Sequence, residues 1–369
     1  MIVNEQHRKD LIIIAKKMAK GRKSIPLDEN GPLDDSGNPL QPTETFLEYL
    51  SLMYDPEIAK TVKYLPVYPA KIHIAKFAKE AGINKSQLVE KLADHKKKLF
   101  VMAMGGRHYS LPDPFFVYDG PFLAKANYEG PDAKEFADLS RKFFIHDKYY
   151  KKWETSSNGI PYLRVLTVSE TIEPGHEIMP PEEINNVIDR NNFFAVIPCP
   201  CRLRAGISGV RECTDKYPLE NCIILGGAAR FLAEEGSAKE ISKEEVRKIL
   251  KHSAEVGLVL TTDNNAEFSK LICSCCECCC GMLRGLTRFD NPRAIAKANF
   301  ISTIDEELCV ACGTCIDRCK FGAISVNDVA QVNPDKCVGC GLCAVTCPSN
   351  AIIMKRFERE EIPEEYLKI

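Results

Sequence analysis

Two runs of four cysteines late in the chain constrain the fold more than any other feature. They read Cys309-x2-Cys312-x2-Cys315-x3-Cys319 and Cys337-x2-Cys340-x2-Cys343-x3-Cys347-Pro348. The segments that carry them, 304–326 and 332–354, align cysteine on cysteine with an offset of 28 residues, so the region is an internal duplication. All 18 cysteines lie between Cys199 and Cys347, and the first 198 residues have none. Disulfide scaffolds are typically short secreted chains. In a chain of 369 residues without a secretory leader pattern, such clustering reads as metal-binding thiols in a reducing compartment. So many thiols also fit a cell that meets little oxygen, because exposed thiolates oxidise.

Composition removes several alternatives. A hydrophobic content of 45% and a charged content of 27% are those of an ordinary globular protein. The formal charge of −2 gives no overall attraction to nucleic acid or anionic lipid. Residues 1–20 mix charges throughout and show neither a signal peptide nor a twin-arginine leader. No run approaches the ~18 apolar residues of a membrane span. The expected location is cytoplasmic, with no membrane insertion.

The duplicated cysteine pattern resembles the bacterial two-cluster ferredoxin. The resemblance implies two [4Fe–4S] clusters, each taking three cysteines from one run and the fourth from the other. Cluster one would use Cys309, Cys312, Cys315 and Cys347; cluster two would use Cys337, Cys340, Cys343 and Cys319. Gly313 and Gly341, each just after the second cysteine of its run, would let backbone N–H groups approach the sulfides. The sequence departs from the family pattern at Lys320, which stands where proline is usual; Pro348 keeps the pattern. A positive charge there should raise the potential of one cluster relative to the other. Zinc is the alternative occupant, but two such runs fit no common zinc module.

Ten cysteines remain: Cys199, Cys201, Cys213 and Cys222, then Cys273, Cys275, Cys276, Cys278, Cys279 and Cys280. Adjacent residues of an extended chain point to opposite sides. Cys275/Cys276 and the triplet Cys278–Cys280 therefore suit a peptide running between two sites. All ten are candidate ligands of one or two additional iron–sulfur clusters. Two [4Fe–4S] clusters need eight thiolates and leave two over; a single cluster beside a reactive dithiol, or a non-cubane cluster with more ligands, are the other arrangements. Zinc in Cys199, Cys201, Cys213 and Cys222 is a further alternative, although the spacing matches no standard finger. Arg202, Arg204 and Arg211 surround the first group and would offset thiolate charge. No catalytic residue is identified: Leu225-Gly226-Gly227 lacks a phosphate-binding pattern, and the histidines, including His176, are scattered.

Along the rest of the chain, helical periodicity predicts helices over 5–21, 44–53 and 56–64. Two short amphipathic helices, 70–81 and 85–96, joined by Gly82-Ile83-Asn84, precede a strand pair turning at Gly105-Gly106. That order resembles a winged helix. Residues 67–110 carry nine Lys/Arg against three acids, a local charge of +6. Contact with DNA is one reading and a protein-docking module with solvated lysines is the preferred one. A strand and turn are expected over 115–123, a long helix over 132–153, β structure over 162–171, a helix over 181–190, a buried strand over 192–198, helices over 227–235 and 242–256, and a strand over 258–262.

The expected fold class is a multidomain α+β protein. It comprises a helical arm (1–63), a winged-helix-like domain (64–125), a Cys-rich α/β domain (126–299), a two-cluster ferredoxin domain of βαβ repeats (300–356) and a tail (357–369). From residue 64 onward the chain resembles a family of anaerobe 4Fe–4S-binding proteins. These combine a winged-helix-like region, a PCPCR segment, a CxCCxCCC segment and a two-cluster ferredoxin tail. The expected function is low-potential single-electron transfer, either as a carrier or as a subunit of an anaerobic oxidoreductase complex, with redox proteins as partners. A redox-sensing DNA-binding regulator and a self-contained small-molecule reductase are the alternatives.

Overall fold

The computed structural model describes residues 1–20, 24–35, 37–153, 160–172, 184–264, 269–357 and 359. His176, the start of the helix expected over 181–190 and nearly all of the 357–369 tail lie outside them. The chain divides into two compact units, Met1–Asn158 with Leu203–Val210, and Gly159–Arg202 with Arg211–Ile369.

The first unit is mostly helical. Helices Glu5–Ala19, Glu44–Met53 and Pro56–Val62 start at Asn4, Thr43 and Asp55, whose side chains accept backbone N–H bonds of the first turn. An aromatic core gathers Phe46, Tyr49, Phe136 and Phe143 with Tyr118 and Trp153; the Tyr49 and Phe143 rings lie 5.2 Å apart, edge to face. One expectation is overturned here. Residues expected as a strand and turn form the helix Pro114–Leu123, with Asp113 as N-cap and Pro114 in its first turn. Eight of its ten residues are buried, so no polar face gives it a helical period. The helix expected over 132–153 is two, Ala133–Ile145 and Tyr150–Trp153.

Within this unit, strand β1 (Ile72–His73) precedes helix Ile74–Ala81, which Gly82 ends in the left-handed conformation, φ 66°. Helices Lys85–Lys91 and Ala93–Lys97 follow. Strands β2 (Met102–Met104) and β3 (His108–Ser110) form a hairpin that β1 extends, in the order β1-β3-β2. Several lysines here have local acidic partners: Lys98 with Asp94 at 2.7 Å, Lys91 with Glu57 at 3.6 Å and Lys76 with Glu80 at 3.8 Å.

The second unit contains a six-stranded sheet. Its strands are β4 (Leu163–Val165), β5 (Phe194–Pro198), β6 (Glu220–Leu225), β7 (Lys239–Ile241), β8 (Val259–Asp263) and β9 (Leu271–Cys275), in the order β4-β8-β9-β6-β5-β7. Every pairing is antiparallel. This region is therefore α+β and not the α/β arrangement expected, because no parallel crossover joins any pair. Helix Lys243–Val256 opens with a Ser242/Glu245 capping box and closes at left-handed Gly257.

The duplicated segment adds β10 (Phe300–Ile304), β11 (Ile324–Val326), β12 (Ala330–Val332) and β13 (Ile352–Arg356), paired β10 with β13 and β11 with β12. The short helices Thr314–Arg318 and Leu342–Val345 follow the cysteine loops. Backbone conformation repeats with the sequence: Ala311 and Gly339, Gly313 and Gly341, and Gly322 and Asn350 all have positive φ.

Candidate metal centres

The duplicated segment forms two pockets that open to solvent. Cys309, Cys312, Cys315 and Cys347 line one of them. Cys337, Cys340, Cys343 and Cys319 line the other. Each cavity thus gathers three cysteines of one run and the last cysteine of the other. The left-handed residues turn each loop back on itself, so that two cysteines of each run precede the helix and the third, Cys315 or Cys343, is its second residue. Gly339 has no alternative residue, since a Cβ there would lie 2.4 Å from the Phe300 carbonyl oxygen.

Backbone donors complete the cradles. The N–H groups of Ala323 and Ala351 point at Cys319 Sγ and Cys347 Sγ, both at 3.3 Å, and Ala330 N–H reaches Cys309 Sγ at 3.4 Å. Such bonds favour thiolate and tune a cluster's potential. Burial pushes the Cys340 thiol up, and pushes Cys343 up to about 11 against a hydroxyl contact from Ser302 at 3.1 Å. Bare thiolates are costly there, and cationic iron removes that cost. Four cysteines lining one pocket and amide donors to sulfur fit a [4Fe–4S] cluster at each position.

The middle cysteines sort into two groups. Cys199 directly follows β5, Cys201 lies in the first turn of helix Pro200–Ile207, Cys222 lies on β6, and Cys273 and Cys275 are alternate residues of β9. β6 and β9 pair Ile223 with Ile272, so one step along the same antiparallel register brings Cys222 beside Cys273. Interacting thiols then neighbour one another round a closed ring: Cys199 beside Cys201 and Cys222, Cys222 beside Cys273, Cys273 beside Cys275, Cys275 beside Cys280, and Cys280 beside Cys201. The thiols of Cys201 and Cys222 hold Cys199 well below the usual thiol range, and those of Cys273 and Cys280 hold Cys275 at about 6. The four remaining thiols of the ring are raised. Four members are buried; Cys201 and Cys273 are half-buried.

Arg202 serves this ring. It is 0% exposed and hydrogen-bonds Asn221 Oδ1 and the Ser274 carbonyl through Nη2. Its Nε and Nη1 have no partner. Burial works against its charge, but Cys199, Cys222, Cys276 and Cys275 outweigh burial and raise its pKa. A buried guanidinium with two idle donor nitrogens needs anionic acceptors; the sulfides of a cluster inside the ring would supply them.

The second group is Cys213, Cys276, Cys278 and Cys279, whose sulfurs all lie within 4.8 Å of one another. Cys275 and Cys276, adjacent in sequence, thus belong to different groups, as do Cys279 and Cys280. Cys199, Cys201, Cys213 and Cys222, weighed together as a zinc quartet, do not converge, because Cys213 sits in the second group. Arg211 contacts Cys213 and donates to the Tyr217 carbonyl at 2.5 Å. Arg204 does not serve the cysteines: it pairs with Asp119 at 2.7 Å and stacks on Tyr118 and Phe122. The buried Asn221 and Ser274 beside Arg202 carried no signal in the sequence.

Residues 302–354 match the family model of the 4Fe-4S dicluster domain. No curated protein and no solved structure matches the chain. The C-terminal segment is therefore a dicluster domain that carries two [4Fe–4S] clusters, and the chain holds a second Cys-rich region compatible with more. Among the described residues, no helix is long and apolar enough to cross a membrane.

Proposed function

We propose that this protein is an electron carrier, or the electron-transfer subunit of an oxidoreductase, working between the dicluster domain and a further iron–sulfur cluster in the six-thiol ring. Cysteines 309, 312, 315 and 347 hold one dicluster-domain cluster, and cysteines 337, 340, 343 and 319 hold the other. Cys199, Cys201, Cys222, Cys273, Cys275 and Cys280 provide the ligands of the third. Bound clusters supply reversible one-electron chemistry. The chain's own contribution is to exclude water, orient the thiolates and offset their charge with Arg202 and backbone N–H groups.

The observation that carries this reading is the idle, fully buried Nε and Nη1 of Arg202 beside a closed ring of thiols. Simple buried cysteines would not require a guanidinium among them. Full-length protein purified without oxygen should contain iron and acid-labile sulfide beyond the roughly eight of each that the dicluster domain holds. Cys201→Ser combined with Cys273→Ser should bring iron down toward eight and leave the dicluster EPR signals in place. Wild-type protein that stops at about eight iron would sink the ring cluster.

For residues 67–110 we propose protein docking. The hairpin extended by β1 suits a DNA-reading module as well, but Lys76, Lys91 and Lys98 are engaged by acids of the same unit. That pairing reduces the field available to a phosphate backbone.

A further inference from the structure

We infer that Cys213, Cys276, Cys278 and Cys279 form a closed structural site for a single tetrahedral zinc ion, chemically distinct from every iron–sulfur centre of the chain.

The argument begins with spacing. A tetrahedral ion with metal–sulfur bonds of about 2.3 Å places its sulfurs about 3.8 Å apart. Cys213 Sγ lies 3.8 Å from Cys279 Sγ, and Cys278 Sγ lies 3.7 Å from Cys279 Sγ. All four sulfurs fall within 4.8 Å of one another. A cubane spreads its thiolates over four separate irons and needs room at the centre. The dicluster cysteines leave that room, each set lining a pocket. Among the described residues, no other set of three or more Cys, His, Asp or Glu converges as these four do.

Ligand origin points the same way. Three ligands come from one tight turn, closed by the Cys280 N–H on the Cys276 carbonyl at 3.2 Å, and the fourth from a remote loop. That is how a small structural site staples a loop to its surroundings. Four protein thiolates leave no open coordination position, and three of the four cysteines are buried. Four thiolates around a divalent ion carry a net charge of −2. Arg211 contacts Cys213, and Arg288, paired mainly with Glu212, also feels Cys278 and Cys279. Binding displaces the thiol protons and fixes the turn.

The test is metal counting on the full chain, expressed with zinc present and purified without oxygen. The wild type should retain one zinc ion per chain alongside its iron. Cys278→Ser should lose the zinc and keep iron and sulfide at wild-type levels. Cys222→Ser, in the ring, should do the reverse, so failure of the ring cluster and failure of the zinc site are separable. If Cys278→Ser misfolds, Co²⁺ exchanged into the wild type should give the visible bands of a tetrahedral tetrathiolate. Absence of zinc from the wild type, loss of about four iron and four sulfide from Cys278→Ser with zinc unchanged, or cobalt without those bands would overturn the assignment.

Discussion

The Lys320 ammonium lies 3.2 Å from the Glu277 carboxylate, with the two side chains only 10% and 28% exposed. Lys320 follows Cys319, which lines a dicluster cavity, and Glu277 stands between Cys276 and Cys278 of the four-thiol turn. Burial opposes the ammonium, but Glu277 and Tyr217 together outweigh it and hold its pKa above the usual value. The lysine that departs from the ferredoxin pattern thus has a partner outside the dicluster domain. That partner offsets the charge otherwise expected to raise the neighbouring cluster's potential.

Lys320→Ala should leave Glu277 partly buried and unpaired, at a cost of about 1–3 kcal/mol. The cost should be largely recovered in the double variant with Glu277→Ala. Anaerobic denaturant unfolding of the four proteins checks this; additive losses in the double variant would contradict the coupling.

Cys347→Ser should impair the cluster in the cavity of Cys309, Cys312 and Cys315, and spare the one nearer in sequence. EPR of the reduced variant should show one dicluster signal in place of an interacting pair. Damage confined to the cavity of Cys337, Cys340 and Cys343 would refute the crossed assignment.

Arg202→Met removes a buried positive charge and two donor nitrogens available to the ring. A charge-assisted hydrogen bond contributes about 1.5–3 kcal/mol, and for a one-electron couple 59 mV corresponds to about 1.4 kcal/mol. The ring centre's potential should therefore fall by tens of millivolts to about 100 mV, while both dicluster potentials stay put. Redox titration followed by EPR measures it, and an unchanged ring potential would remove Arg202 from the account.

Changing Lys96, Lys97 and Lys98 together to Glu should leave iron content unchanged. At Lys98 it also replaces an ion pair with Asp94 by a like-charge pair one helical turn apart, a loss of a few tenths of a kcal/mol. Association with the redox partner should weaken. Tight DNA binding by the wild type that falls steeply with salt would instead favour the regulator.

Much of the dicluster domain was legible in the sequence, because its cysteine spacing is local and duplicated. Helix 44–53 was legible too, through its period. Helix Pro114–Leu123 was not, since burial on nearly all sides erases the polar face that periodicity needs. The antiparallel order of the middle sheet depends on pairings between distant strands, which no local pattern reports. Alternation along the chain suggested that Cys275 and Cys276 serve different sites, but only the fold shows that Cys213 joins the turn at Cys276–Cys279. The sequence marked Lys320 as unusual and gave no means of finding Glu277.

The antiparallel ladder of β10 and β13 sets Phe300 directly opposite Arg356, so the dicluster segment starts and finishes at one place. The chain therefore enters and leaves this cassette at one place. A segment whose two ends already meet is easily spliced into an unrelated host, because the host needs only one break in its surface to receive it. What cannot be transplanted with the cassette is Glu277, the partner that its own residue Lys320 finds in the rest of the chain.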